Sequence, residues 1–330
     1  MSSILVIGAG SWGTALSILL AHNGHEVWLF SKDAKAAQDM TDAQENSAYL
    51  PGISFPNTLK VTSALFPLAN QTDYILYAAP SHALKEVLNQ LKEKLNKNIS
   101  LILASKGIDP ETGLFAHDLV KQISPSAEFA VLSGPSFAKE VAQGLPTAVT
   151  IASLNSEYSA ALVALFSSSY FRPYSSNDII GVEVGGIVKN VIAIAVGMSD
   201  GLGYGANARA ALITRGSAEV VRLGMKLGGQ LETFLGLSGM GDLVLTCTDN
   251  QSRNRRFGLA MGRGSTIEQA LKSVGQVVEG YRNVEHVFHL AQKFQVEMPI
   301  TQQIYQIIYH QLAPQTAVIN LLARDTKSEF

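Results

Sequence analysis

The sequence predicts an α/β fold, a doubly wound, mainly parallel sheet followed by a mostly α-helical C-terminal domain. Three observations carry this reading. Short apolar, β-branched runs alternate with helical patterns through the first half of the chain. A glycine-punctuated turn joins the first such run to the first helical pattern. Beyond about residue 178, strand-like runs nearly vanish and long helical periodicities take over.

The first element is Ile4-Leu5-Val6-Ile7, a continuous apolar run that reads as a buried strand and lacks the basic leader of a signal peptide. It runs into VIGAGSWGTAL, where Gly8, Gly10 and Gly13 separate the strand from a helical face of Ala15, Leu16, Ile18, Leu19 and Leu20. In such a Rossmann-like unit the first glycine permits a tight turn and the second lets a pyrophosphate reach the backbone. The third lets the helix pack closely on the strand. Further strands are expected at 26–30, 73–79, 99–104, 129–132 and 147–152, with helices at 82–95 and 112–123 between them. Ligands of such sheets bind at the carboxyl ends of the strands. From there the helical patterns 183–198, 207–225, 281–294 and 299–311 define a second domain, with Pro299 and Pro314 suited to helix starts and Gly228-Gly229 to a stop. The expected division is 1–178, a dinucleotide-binding domain, and 179–330, a helical substrate domain.

Composition narrows the function. In 330 residues, 47% hydrophobic and 16% charged, a large folded core is expected. A formal net charge of -2 argues against nucleic-acid or anionic-membrane partners and leaves a small molecule. One cysteine, Cys247, excludes an internal disulfide and a thiol metal set, which suits a reducing cytoplasm. No metal site is expected from the seven histidines. His286 and His289 share a helical face and read as solvated residues. The apolar stretch Val184 to Met198 is interrupted by Lys189 and Asn190 and reads as a buried core helix, not a membrane span.

Several polar residues stand where chemistry is expected. After the second strand the chain reads Ser31-Lys32-Asp33, where an NAD site usually places an acid for the ribose 2′-hydroxyl. A hydroxyl and a cation tilt the preference toward NADP(H), while Asp33 keeps NAD(H) open. Lys106 directly follows the strand Leu101 to Ala104, at the ligand-binding rim. In LSGPSFAKEV, Gly134-Pro135 turn the chain and a helix is expected to start near Ser136. Lys189 sits among Gly185, Gly186, Val188, Val191, Ile192 and Ala193, so burial should lower its pKa toward neutrality and fit it to exchange protons with a substrate oxygen. The glycine-rich run from Gly197 to Gly205 suggests a pocket beside it. Asp242, set between glycine and Leu243-Val244-Leu245, needs a cationic partner, and Lys189 is the candidate. In QSRNRRFG, Arg253, Arg255 or Arg256 with Asn254 could grip a phosphate through paired charge-assisted hydrogen bonds, or form a solvated basic turn. A hydroxy-acid dehydrogenase and a dinucleotide-sensing binding protein remain alternative readings of the same pattern.

Taken together, these segments resemble the bacterial type of NAD(P)-dependent glycerol-3-phosphate dehydrogenase. The matching stretches are GAGSWGTAL, SKG at 105–107, SGPSFAKEVAxGLPTA at 133–148, VKNVIAIAxGMSDGLGxGxNARAALITRG at 188–216, GMGDLVLTCTDNQSRNRRFG at 239–258 and GQVVEGYRN at 275–283. The resemblance implies reversible hydride transfer between NAD(P)H and dihydroxyacetone phosphate to give sn-glycerol 3-phosphate for phospholipid synthesis, by a cytoplasmic homodimer. It places Ser11, Trp12, Lys32, Lys106, Ala138, Arg253, Val277 and Glu279 on the dinucleotide, beside the glycines of the turn. It puts Lys106, Gly134, Ser136, Lys189, Asp242, Ser252, Arg253 and Asn254 on the substrate. It makes Lys189 the proton acceptor, with Asp242, Lys106, Asn190 and Thr246 in support. Trp12 and Lys32 occupy positions at which the family varies.

Overall fold

A computed structural model describes residues 1–95 and 99–325. Met1–Glu183 and Val184–Phe330 form two compact units, and the division falls inside one long helix, Ile179–Gly201.

The first unit is built on an eight-stranded sheet ordered β3-β2-β1-β4-β5-β6-β7-β8. The strands are β1 Ser3–Ile7, β2 Glu26–Phe30, β3 Leu59–Thr62, β4 Tyr74–Tyr77, β5 Ser100–Leu103, β6 Glu128–Ser133, β7 Thr147–Ala152 and β8 Phe171–Ser176. All neighbours run parallel except β6 and β7. Alternate residues of β1 feed opposite faces: Ile4 and Val6 join a core with Leu16, Leu19 and Leu162, whereas Leu5 and Ile7 join one with Leu88, Leu101 and Leu119. Both faces are therefore covered, as parallel sheets require.

Two strands were not expected. Leu59–Thr62 and Phe171–Ser176 are the sheet's edges, each bonded to one neighbour only. An edge strand tolerates Lys60, Arg172 and Pro173, residues that conceal a strand from its sequence. The helix expected at 112–123 begins only at Ala116, because Ile108 and Phe115 first pair across a short bridge. The strand expected at 73–79 is confined to Tyr74–Tyr77.

Among the described residues, the second unit is helical. Its helices include Gly205–Lys226, Asp242–Thr248, Arg253–Gly262, Glu279–Lys293, Pro299–His310 and Pro314–Leu322, the last two opening on proline. Ile179–Gly201 is long and apolar enough to cross a membrane, but 94% of its most apolar window is buried within the fold, so it is a core helix. Within the run from Gly197 to Gly205, Gly197 and Gly201 face a neighbouring helix, whereas nothing lies within 4 Å of a Cβ placed on Gly203 or Gly205. A Cβ on Gly197 would collide with the carbonyl oxygen of Arg255, and one on Gly258 with that of Ile194. A Cβ on Gly201 would meet the Leu259 oxygen at 2.5 Å. These glycines let the helices Ile179–Gly201 and Arg253–Gly262 touch backbone to backbone.

Candidate active site

In the first unit the expected ligand residues gather where parallel strands end. β1 and β4 are neighbours although β2 and β3 lie to one side and β5 to the other, so the strand order reverses between them. That reversal is where doubly wound sheets bind ligands. Gly8 stands there with φ +118, and a Cβ on it would meet Ala79 N, just past β4, at 2.5 Å. A Cβ on Gly13 would strike the Gly8 oxygen. Gly10 differs, since nothing lies within 4 Å of where its Cβ would be. It caps the helix Ser11–His22 without a side chain, so a pyrophosphate can come up to the backbone at that open front. The turn thus fits a dinucleotide. Ser11 Oγ donates to Tyr49 O at 2.8 Å, and Trp12 packs half-buried against the core.

Lys32 is exposed just beyond β2. Asp33 caps the helix Ala34–Ala43, its Oδ1 accepting from Lys35 N at 2.9 Å and Ala36 N at 3.2 Å. Lys106 is half-buried in the loop after β5, and Gly134 follows β6 with φ +145, its face against Val149. The helix expected near Ser136 begins instead at Ala138 and lasts five residues. Ser136 turns its hydroxyl back onto the Gly134 carbonyl at 3.1 Å, which ties it into the turn.

In the second unit the structure joins the residues that the sequence leaves 53 positions apart. Lys189 is 6% exposed and Asp242 1%. Lys189 Nζ donates to Asp242 Oδ1 and, at 2.9 Å, to Thr246 Oγ1. Asp242 opens the helix Asp242–Thr248 directly after a π-helical turn, Leu237–Gly241, and a helix N-terminus favours a carboxylate. Its charge offsets the desolvation that burial imposes on the Lys189 ammonium. Gly185 allows this closeness, because a Cβ there would meet Ser238 O at 2.5 Å.

Beside this pair runs a chain of amides. Asn190 Nδ2 donates to Gly186 O at 3.2 Å, Asn254 Nδ2 donates to Asn190 Oδ1 at 2.8 Å, and Gly280 N donates to Asn254 Oδ1 at 2.8 Å. Ser252 caps the helix Arg253–Gly262 by accepting from Arg255 N at 3.2 Å. Arg253 is half-buried; burial lowers its pKa, Glu279 raises it and Arg256 lowers it. Glu279 begins the helix Glu279–Lys293, with Val277 just before it, both half-buried. The three arginines part company, since Arg255 turns to Asp200 at 2.5 Å and to Asn250.

Sequence reasoning missed two other buried acids. Glu183 accepts from His117 Nδ1 and, at 3.1 Å, from His117 N, near the start of the helix Ala116–Ile123. Burial alone would lower the His117 pKa, but the hydrogen bond and charge of Glu183 outweigh it and raise it. Glu219 accepts from Ile300 N at 2.5 Å and Thr301 N at 3.1 Å, at the start of Pro299–His310, and burial pushes its pKa up to about 7. Neither carries a local signal, because each is recognised only by a helix start 66 to 82 residues away.

Comparison with known proteins gives a consistent result. The family model described as NAD-dependent glycerol-3-phosphate dehydrogenase N-terminus matches residues 3–159, and its C-terminus counterpart matches 178–319. A glycerol-3-phosphate dehydrogenase (NAD(P)+) of Shewanella frigidimarina is 50% identical over 330 residues, covering 99% of this chain and 98% of its own. The crystal structure of glycerol-3-phosphate dehydrogenase from Coxiella burnetii superposes with a TM-score of 0.95 at 46% identity, over 98% of this chain and 99% of that one. A D-mandelate dehydrogenase bound to NADH shares the fold at a TM-score of 0.63 and 15% identity, over 95% of this chain and 99% of its own.

Proposed function

The chain belongs to the NAD-dependent glycerol-3-phosphate dehydrogenase family, and on that premise we propose that it interconverts dihydroxyacetone phosphate and sn-glycerol 3-phosphate with NAD(P)(H). The observation that carries this reading is the buried contact of Lys189 with Asp242 and Thr246.

When bound, a nicotinamide dinucleotide would supply the hydride chemistry at C2 of the substrate. Gly8, Gly10, Ser11, Trp12 and Gly13 would hold its phosphate side at the β1 turn, and Lys32 would meet the ribose. With Asp33 engaged as a helix cap, Lys32 is the charge left to select there, which supports NADP(H) over NAD(H). Lys106, Ala138, Arg253, Val277 and Glu279 would complete the dinucleotide contacts. Lys189, as an ammonium, hands a proton to the C2 oxygen while the carbonyl is reduced; in oxidation the neutral amine receives the hydroxyl proton. Asp242 stays a carboxylate throughout, orienting the amine with Thr246. Lys106 polarises the carbonyl, and Asn190 fixes Asn254. Arg253, Asn254, Ser252, Gly134 and Ser136 hold the phosphate end, so that binding energy far from C2 positions the reacting carbon. A cytoplasmic homodimer supplying glycerol phosphate to phospholipid synthesis extends the same reading.

The test is steady-state loss of NADPH and NADH absorbance on adding dihydroxyacetone phosphate. Turnover is expected, with inorganic phosphate and glycerol phosphate as competitive inhibitors. Tight cofactor binding without turnover would make the chain a sensor. Turnover of a hydroxy acid, indifferent to phosphate, would replace the substrate.

A further inference from the structure

Arg253 and Arg255 lie two residues apart on one helix, about 200° around its axis, so they cannot face the same ligand. One of them, Arg255, is engaged by Asp200. This carboxylate ends the helix Ile179–Gly201, where the helix dipole already disfavours negative charge. It is nevertheless buried, its side chain 6% exposed, and held by two guanidiniums. Asp200 Oδ2 accepts from Arg255 Nη2 at 2.5 Å, and Oδ1 accepts from Arg209 Nε and Nη2, both at 3.0 Å. Asn250 takes the other branch of Arg255. The glycine contact between the Gly197 and Arg255 backbones leaves no slack along this seam.

We propose that Asp200 is a positioning residue for substrate selection: by holding Arg255 on one side of the helix, it presents Arg253, with Asn254, to the phosphoryl group on the other. Its neutral replacement would free Arg255 and loosen the turn that Ser252 caps. This rests on the proposed phosphate-anchoring role of Arg253.

The experiment measures kcat and KM for dihydroxyacetone phosphate and for unphosphorylated dihydroxyacetone in the full-length enzyme and in Asp200→Asn, Arg255→Lys and Arg253→Ala. Asp200→Asn should raise KM for the phosphorylated substrate by about tenfold, as loss of a charge-assisted pair implies. Its kcat should stay within about twofold, and kcat/KM for dihydroxyacetone should not change, since that molecule makes no phosphate contact. Arg255→Lys, which keeps the charge but loses the fork, should show the same selective loss, and the double variant should add little to either. Should Asp200→Asn fail to accumulate, Arg255→Lys carries the test alone. Equal losses on both substrates would make the pair merely structural and overturn the proposal. So would an unchanged KM in Asp200→Asn where Arg253→Ala raises it. An unchanged KM in Arg253→Ala would instead remove the anchor reading itself.

Discussion

Of the buried charges on the helix Ile179–Gly201, Glu183 and Lys189 meet their partners in different surroundings. Toward its start, Glu183 takes both the ring and the backbone N–H of His117 at the opening of Ala116–Ile123, a helix whose N-cap, Phe115, offers no side-chain acceptor. Further on, Lys189 meets Asp242 and Thr246, side chain to side chain. Glu219 resembles the former, closing the start of Pro299–His310. Burial of charge is common to all three and so does not mark catalysis. The distinction lies in what the charge holds: an acid bound to the amides of a helix start fixes that helix. A proton can move between Lys189 and a ligand without unfastening a helix start.

Three measurements would break or sharpen that contrast. The largest effect is expected from Lys189→Ala, which should lower kcat by roughly 10² to 10⁴. Dinucleotide affinity, which belongs to the β1 turn, should barely move; near-normal turnover would put the lysine in the same class as Glu183. Next, Glu183→Ala should destabilise the protein by about 3 kcal/mol in denaturant titrations, since it strands His117 and a helix-start amide. Turnover per folded molecule should persist at moderate temperature, and a purely catalytic loss would erase the distinction. The smallest effect concerns pH. Glu219 binds its proton more tightly in the fold, about 7 against 4.5, so stability should fall as pH rises from 4.5 through about 7. His117, raised from 6.5, has the same sign and loses its contribution as pH rises through its raised value. Melting temperature against pH should therefore flatten in Glu219→Gln, and an unaltered slope would show that the acid does not titrate there.

Legibility followed burial and sequence distance. Central strands such as Ile4 to Ile7 are covered on both faces and announce themselves as unbroken apolar runs, whereas the edges LKVT and FRPYSS carry a lysine and an arginine outward and a proline within the strand. The glycine turn could be read because its three residues act within one short loop. Lys189 and Asp242 stood out as charges in apolar company, so their pairing could be inferred across 53 positions. Asp200 and Arg255 gave no such contrast: each lies in a polar, glycine-rich stretch, and only the fold shows that they meet. The same holds for Gly280, whose amide fixes Asn254. Gly197 and Gly201 meet a neighbouring backbone, and in a sequence a gap in side chains looks the same whether a ligand or a backbone fills it.

The seam of bare backbone between the lysine-bearing helix and its arginine-bearing neighbour limits how this protein can diversify. Even a single methyl added at Gly197, Gly258 or Gly262 would force the two helices apart. Laboratory evolution toward new substrates would find that flank closed to ordinary point changes.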